Sequence, residues 1–162
     1  MSLHRFMELG LSHPEHGYYS TKQRIFNKGG DFTTSPEISQ MFGESMAIWF
    51  MQAMMNNYGG QSRPFSLVEA GPGSGLMMED ILRTIHQFNQ LKGVTVYMVE
   101  SSPNLQKQQQ ERLLNLLQKK LGIFMAFDTA EQEGDCFRNK EIGFSIEWHT
   151  ELKSVYNKKL QT

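Results

Sequence analysis

The sequence predicts an α/β fold, namely the first half of a doubly wound domain with a parallel sheet. An apolar run at 65–70 (FSLVEA) leads into three glycines within five residues, and an amphipathic helical pattern follows. A second apolar run (VTVYMVE) precedes a helix with leucines along one side, and an alternating run (IGFSIEW) comes later. Strands that alternate with helices in this way form parallel sheets, which bind ligands at the carboxyl ends of their strands.

The first 60 residues favour helix. Residues 3–11 carry a short helical apolar pattern, and a long helix should begin near Ser35, because Pro36 suits the first helical position. Thr34 and Glu37 have the spacing of a capping box at this helix start. The apolar stretch AIWFMQAMM within the same helix is typical of a buried helix.

The elements after the glycines follow from similar signals. Apolar residues at helical spacing predict a helix over 77–88, and Ser102 and Pro103 are a cap and a first helical residue for the next one. The glutamine run in that helix (KQQQER) fits a solvated face. Residues 123–127 (IFMAF) are compatible with a short strand, and 128–141 read as a loop.

The glycine loop limits the choice of nucleotide. Gly71, Gly73 and Gly75 are spaced G-x-G-x-G, without the Gly-Lys-Ser/Thr ending that a P-loop needs to meet phosphate charge. An NTP site is therefore disfavoured, and the G-x-G-x-x-G pattern of dinucleotide sites is matched only in part.

S-adenosylmethionine fits this loop better, because it has no phosphates and carries an ammonium and a sulfonium. Glu69 lies two residues before Gly71, and Glu100 ends the next strand. The ends of neighbouring parallel strands meet at one edge, where a carboxylate such as Glu100 can accept hydrogen bonds from both ribose hydroxyls. The alternative is that the two acids only mark solvent-exposed strand ends.

The composition argues against several other functions. The 16 Lys and Arg residues balance the 17 Asp and Glu residues, so binding to nucleic acid by bulk charge is not indicated. One cysteine, Cys136, allows no intrachain disulfide, and no stretch approaches the ~20 apolar residues of a membrane span. His13 and His16 have metal-like spacing, but Pro14 and Gly17 favour a turn, so we expect no metal site.

Four strings occur in order along the chain: LSHPEHGYYS, GGDFTTSPEISQMFGE, LVEAGPGSGLMMEDILR and VYMVESSPNLQKQQ. Together they closely resemble the MidA family of S-adenosylmethionine-dependent methyltransferases over residues 3–125, and 146–155 resembles the family's next strand and loop. The resemblance implies a class I (Rossmann-like) methyltransferase fold with S-adenosyl-L-methionine as cofactor. It also implies methylation of an arginine in a respiratory complex I subunit, in mitochondria, or a cytoplasmic location in a bacterium.

The resemblance also implies which residues bind the cofactor. Those expected to line its methionine side are Glu69, Gly71, Gly73 and Gly75, and Glu100 is expected at its ribose. The T-S-P-E residues Thr34, Ser35 and Glu37 are expected close to the same pocket. The alternative for Thr34 and Glu37 is that they only cap their helix.

The resemblance further predicts an N-terminal half of the fold. Family members continue with a strand ending in a Glu-Phe-Phe-Asp motif, which pairs with the free side of the glycine-loop strand, and this chain ends before it at Thr162. We therefore expect a helical extension over 1–60, a partial Rossmann-like methyltransferase domain over 61–162 and no assigned catalytic residue, with Glu37 as a candidate for holding the guanidinium. The alternatives are a non-catalytic assembly or interaction fragment and an NAD(P)-binding oxidoreductase.

Overall fold

The computed structural model describes residues 1–22, 31–59, 63–127 and 135–159. The strands are β1 (Ser66–Ala70), β2 (Thr95–Val99), β3 (Ala126–Phe127), β4 (Cys136–Asn139) and β5 (Phe144–His149). The helices are α1 (Leu3–Ser12), α2 (Tyr18–Thr21), α3 (Ser35–Ile38), α4 (Met41–Tyr58), α5 (Leu76–Gln87), α6 (Pro103–Leu114) and α7 (Leu152–Lys159). A π-helical stretch, Asn115–Lys120, continues α6.

Three parallel strands form the part of the sheet that the sequence predicts. The strand order is β1-β2-β5-β4-β3. Leu67 of β1 lies opposite Val96 of β2, which in turn lies opposite Ile146 of β5, and both pairs of strands are parallel. Within the described part of the chain, β2 is the only strand beside β1, so the other edge of β1 carries no strand. The predicted order of strand, helix, strand, helix, strand is confirmed.

An antiparallel addition widens the sheet beyond β5. β4 pairs with β5 and β3 pairs with β4. The prediction of a loop over 128–141 was wrong for β4, and the strand considered at 123–127 is reduced to its last two residues. Four residues are too few to show a strand pattern, and β4 is stabilised by its neighbour: Phe137 packs edge-on against Trp148, with ring centres 5.9 Å apart.

The main core lies on one face of the sheet. Val96 and Met98 of β2 point into it, whereas Tyr97 and Val99 point to the opposite face and cluster with Val155 of α7. Other fully buried members of the main core are Leu82 and Ile85 of α5, Leu113 of α6, and Leu116 and Leu117 of the π-helical stretch. Because both faces of β2 are covered, its sequence is apolar without alternation.

The long helix predicted from Ser35 is two helices. Ser39 has an extended backbone (φ −154°, ψ 131°) between α3 and α4, and its hydroxyl accepts a hydrogen bond from the Met41 N–H at 3.2 Å. A serine that bonds to the backbone two residues ahead competes with helical hydrogen bonding. The prediction of one continuous helix was therefore wrong at Ser39.

The α4 helix packs on α5 through small residues. A Cβ added at Gly43 would lie 2.5 Å from Asp80 Cβ, and Ala47, one turn later, is fully buried. The expectation of a buried helix holds only in part, because Phe50 and Met51 pack against the core whereas other large apolar side chains of α4 are exposed. The exposed ones include Met41, Ile48, Trp49 and Met55. Since Ala47 belongs to the main core, α4 packs with the strands, and the division into 1–60 and 61–162 stays a prediction.

The α6 helix begins as predicted, and its π-helical continuation ends near the predicted Gly122. The Ser102 hydroxyl accepts from the Leu105 N–H, Pro103 is the first helical residue, and Gly122 follows the π-helical stretch with φ +69°. The predicted solvated glutamine face is wrong at Gln109, which is fully buried. No helix in the described ranges is long and apolar enough to cross a membrane.

Candidate functional site

The glycine loop connects the carboxyl end of β1 to α5. The Gly71 N–H donates to the Val99 carbonyl at 2.9 Å, and the Gly75 N–H donates to the Pro72 carbonyl at 2.9 Å, which closes a tight turn. Gly71 and Gly75 have φ +69° and +76°, left-handed values that favour glycine. A Cβ at Gly71 would meet no atom within 4 Å, so the backbone there is open to close approach.

A cavity of about 320 Å³ lies between this loop and the start of α3. One wall is formed by Thr34, Ser35 and Pro36, and the other includes Glu69 and the loop 71–74. Of the residues predicted for the site, those that line this cavity are Thr34, Ser35, Glu69, Gly71 and Gly73. The ones outside its lining are Glu37, Gly75 and Glu100. The T-S-P-E string and the glycine loop, about 35 residues apart in sequence, thus face each other.

Glu69 is a buried acid without a partner for one oxygen. Its side chain is 8% exposed, and no described residue offers a hydrogen bond to its buried Oε2. Burial raises the pKa of Glu69 to about 7. A buried carboxylate that lines a cavity and lacks a donor is suited to a ligand that brings a cation or an N–H group.

Glu100 is equally buried but is held by the chain. It directly follows β2, and its Oε1 accepts from the Ser102 N–H at 2.9 Å. Burial raises the pKa of Glu100, and hydrogen bonds from the Ser102 N–H, the Gln109 side chain and the Ser101 N–H oppose that rise. The interpretation of the two acids as solvent-exposed strand ends does not hold, because each is 8% exposed.

Glu37 takes part in capping its own helix. Its Oε2 accepts from the Thr34 N–H at 3.2 Å, which is the reciprocal half of a capping box. Its Oε1 is buried and has no hydrogen-bond partner among the described residues. The capping interpretation therefore accounts for one oxygen of this carboxylate and leaves the other available.

The α2 segment is attached beside Glu100. The Ser102 hydroxyl donates to the Tyr19 carbonyl at 2.8 Å, and the Asn104 amide donates to the Ser20 carbonyl at 3.1 Å. Because the Ser102 N–H also holds Glu100, one residue joins the N-terminal part of the chain to the acid at the end of β2.

Gln109 is the buried residue that the sequence reasoning missed. Its Nε2 donates to the Gly73 carbonyl at 2.8 Å, and its Oε1 accepts from Trp148 Nε1 at 3.0 Å. A signal for its burial was present, because it lies midway between the buried Leu105 and Leu113 at steps of four residues.

The histidine pair forms a turn. The His13 Nδ1 accepts hydrogen bonds from the Glu15 and His16 N–H groups, at 3.1 and 3.2 Å. In the described ranges, no group of three or more His, Cys, Asp and Glu residues is arranged to hold a metal ion.

Comparison with solved structures places the fold. A COG1565 superfamily member from Burkholderia thailandensis, bound to S-adenosyl-homocysteine, superposes with a TM-score of 0.60 at 18% identity. The match covers 98% of this chain and 48% of that one. The predicted α/β, Rossmann-like methyltransferase fold is confirmed.

Sequence comparison gives the family. The mitochondrial "Protein arginine methyltransferase NDUFAF7 homolog" of Drosophila melanogaster is 42% identical over 107 residues, which are 66% of this chain and 24% of that protein. The human "Protein arginine methyltransferase NDUFAF7, mitochondrial" is 36% identical over 156 residues, which are 93% of this chain and 33% of that protein. The chain thus spans about a quarter to a third of these relatives. The family model described as "Putative S-adenosyl-L-methionine-dependent methyltransferase" matches residues 45–161, so the chain belongs to this family of S-adenosyl-L-methionine-dependent methyltransferases.

Proposed function

We propose that this chain binds S-adenosyl-L-methionine at the carboxyl ends of β1 and β2, as the cofactor-binding part of a protein arginine methyltransferase. The observation that carries the proposal is the Glu69 carboxylate, which lines the cavity and has one buried oxygen without a described donor. The ammonium of the cofactor's methionine part is a donor of the required charge.

The glycine loop and the T-S-P-E string would hold the methionine part from two sides. Gly71 and Gly73 let the backbone approach the ligand closely. The Thr34 and Ser35 hydroxyls on the facing wall are donors for the ligand's carboxylate. Gly75 would act through the turn that starts α5.

Glu100 would hold the ribose. A carboxylate oxygen accepts hydrogen bonds from hydroxyls, and Glu100 is kept in place for this by the Ser102 N–H. The Gly71 N–H donates to the carbonyl of Val99, the residue before Glu100. This hydrogen bond holds the glycine loop beside the strand end that carries Glu100.

The chemistry that these residues serve is alignment. When bound, the cofactor supplies a methyl group on a sulfonium, which makes that methyl electrophilic. The chain's part is to orient the ligand and to exclude water around it. Glu37 is our candidate for holding the guanidinium of an arginine, because its Oε1 has no partner among the described residues.

We extend the proposal to the whole protein by resemblance. The relatives are named mitochondrial protein arginine methyltransferases, which supports a protein arginine as the methyl acceptor and a mitochondrial location. By the same resemblance we propose a respiratory complex I subunit as the substrate.

Calorimetry with S-adenosylhomocysteine and with NAD tests the cofactor. We expect the chain to bind S-adenosylhomocysteine, with affinity that increases from pH 6 to pH 8, because the ligand's ammonium pairs with ionised Glu69 and the pKa of this acid is about 7. Glu69→Gln should weaken binding at pH 8 by roughly tenfold or more and remove the pH dependence. Exposed Glu141→Gln is the matched control. Binding of NAD alone would overturn the proposal.

The exposed apolar side chains of α4 favour a second candidate, an interaction fragment. Trp49 is 59% exposed and Met55 is 62% exposed, and exposed apolar side chains grouped on one helix are typical of interaction sites. This function predicts binding of a partner protein without any affinity for the cofactor. Pull-down with wild type and Glu100→Ala would favour it if the partner is retained equally and S-adenosylhomocysteine does not bind to either.

A further inference from the structure

We propose that Gln109 is the positioning residue of the cofactor site, and that its side-chain amide sets the shape of the glycine loop and thereby the cofactor affinity. The inference rests on the proposed function, because it assigns to this residue a role in the same site. Nothing in the motifs of the loop itself requires a glutamine on α6.

Both polar atoms of the Gln109 amide are hydrogen-bonded, and each partner can pair with only one of the two atoms. The Gly73 carbonyl can only accept, and it receives the Nε2 hydrogen bond at 2.8 Å. The Trp148 Nε1–H can only donate, and it gives its hydrogen bond to Oε1 at 3.0 Å. The orientation of the amide is therefore determined, and it points its donor at the middle of the glycine loop.

The glycine loop also packs against the aliphatic part of the Gln109 side chain. A Cβ added at Gly75 would lie 3.2 Å from Gln109 Cγ and 3.5 Å from its Cβ. The loop thus contacts Gln109 at two glycines, through a hydrogen bond at Gly73 and through packing at Gly75. Because Gln109 is fully buried, it has no room to move aside.

Gln109 reaches the second acid of the site as well. A hydrogen bond from its side chain is one of the interactions that oppose the rise in the pKa of Glu100. One residue of α6 is therefore hydrogen-bonded both to the loop after β1 and to a side chain of β5. Its amide thus holds the middle of the glycine loop against β5.

The replacement Gln109→Glu separates this role from mere packing. A protonated glutamic acid has nearly the same shape, donates to the Gly73 carbonyl and accepts from Trp148, and it lacks only the second N–H of the amide. The ionised form cannot donate and repels the carbonyl. The variant is therefore competent at low pH and defective at high pH, with no change in volume.

Gln118→Glu is the matched control. Gln118 also donates its Nε2 to a backbone carbonyl, that of Met125 at 3.1 Å, but at the π-helical end far along the same helix. The replacement Gln118→Glu makes the same chemical change to the same kind of hydrogen bond, away from the glycine loop. We expect its affinity for the ligand to follow wild type at every pH.

The test is calorimetric titration of S-adenosylhomocysteine into the three chains between pH 5.5 and pH 9. Relative to wild type at the same pH, Gln109→Glu should bind about tenfold more weakly at the alkaline end and within about threefold at the acid end. An affinity ratio that does not change with pH would overturn the inference and leave the proposed function standing. Absence of binding by wild type would overturn both.

A second variant keeps the test decisive if Gln109→Glu does not fold. Trp148→Phe removes the donor that orients the amide and leaves Gln109 in place. We expect S-adenosylhomocysteine affinity to fall by about threefold or more. Wild-type affinity in this variant would contradict the role of the amide's orientation, because Trp148 is outside the lining of the cavity.

Discussion

The ends of β1 and β2 carry the same residue in the same degree of burial, yet the chain treats the two acids differently. Glu69 and Glu100 are both 8% exposed. Glu100 receives the Ser102 N–H because the chain turns into α6 at that point, and the first N–H groups of a helix point back at the strand end. After Glu69 the chain enters the glycine loop, whose first N–H donates to the Val99 carbonyl instead.

The difference shows that burial alone does not define a binding acid. A carboxylate that the chain supplies with donors is a fixed acceptor, which suits neutral hydroxyls. A carboxylate that lacks a described donor is costly when ionised, and a cationic ligand relieves that cost. We therefore propose that the ribose lies at the end of β2 and the ammonium at the end of β1.

The largest predicted effect is the contribution of Glu69 to the pH dependence of the free energy of unfolding. Its folded pKa of about 7 exceeds its ordinary value of 4.5, so the folded state retains a proton that the unfolded state loses between these values. Stability should therefore fall as pH rises from 4.5 to 7, by roughly 3 kcal/mol from this group. Urea unfolding at pH 5 and pH 8 should show that Glu69→Gln removes most of this loss.

The same change at Glu100 sharpens the comparison. Its pKa is raised too, but hydrogen bonds oppose the rise, so Glu100→Gln should reduce the pH-dependent loss by less than Glu69→Gln does. Exposed Glu141→Gln is the control and should leave the loss unchanged. An equal effect at Glu69 and Glu100 would show that the chain does not distinguish the two acids.

The next largest effect separates the two ends of the glycine loop. Gly75→Ala should destabilise by about 2 kcal/mol, because a left-handed backbone is combined with a Cβ 3.2 Å from the buried Gln109. Gly71→Ala should destabilise by only about 1 kcal/mol, from backbone strain alone, since its Cβ meets nothing within 4 Å. Thermal unfolding measures both changes.

Ligand affinity should rank the same two variants in the opposite order. The open space at Gly71 lines the cavity, whereas Gly75 does not. Calorimetry with S-adenosylhomocysteine should find the larger loss for Gly71→Ala once both proteins are folded. If Gly75→Ala binds more weakly, the packing of the loop against Gln109 affects the affinity more than the open space at Gly71 does.

Local patterns were sufficient for the parallel part of the fold. The apolar run before Gly71 and the capped helix at Ser102 are encoded by adjacent residues, and both were predicted correctly. The break at Ser39 was not predictable in this way. Thr34 and Glu37 indicate a helix start, and the residues after Ser39 remain favourable for helix. The helix ends at Ser39, whose hydroxyl oxygen accepts a hydrogen bond from the Met41 N–H.

Properties that depend on distant neighbours were beyond the sequence patterns. The periodicity of α4 identifies apolar residues, but only the contact between Gly43 and Asp80 decides which face is buried. A glutamine within KQQQER looks solvated until Trp148 and Gly73 are brought to it. The cofactor was predicted from the glycine loop, from Glu69 and Glu100 and from the family resemblance. That Glu69 Oε2 has no donor among the described residues depends on the packing around it.

The smallest predicted effect concerns Ser102, which joins the end of β2 to the N-terminal segment. Ser102→Ala removes the helix cap and the hydrogen bond to the Tyr19 carbonyl but keeps the N–H that holds Glu100. We expect a loss of about 1 kcal/mol and faster amide hydrogen exchange in α2. Because Glu100 keeps its donor, S-adenosylhomocysteine affinity should fall little.

Two further variants decide what that exchange means. Asn104→Ala removes the neighbouring bond to the Ser20 carbonyl without touching the cap, and it should also speed exchange in α2. Ser154→Ala removes a comparable hydroxyl bond to the Glu151 carbonyl near the start of α7, and it should leave α2 unchanged. If Ser102→Ala instead weakens the ligand as strongly as Glu100→Gln does, the α2 segment is part of the ribose end of the site, because the acid itself has lost no hydrogen bond.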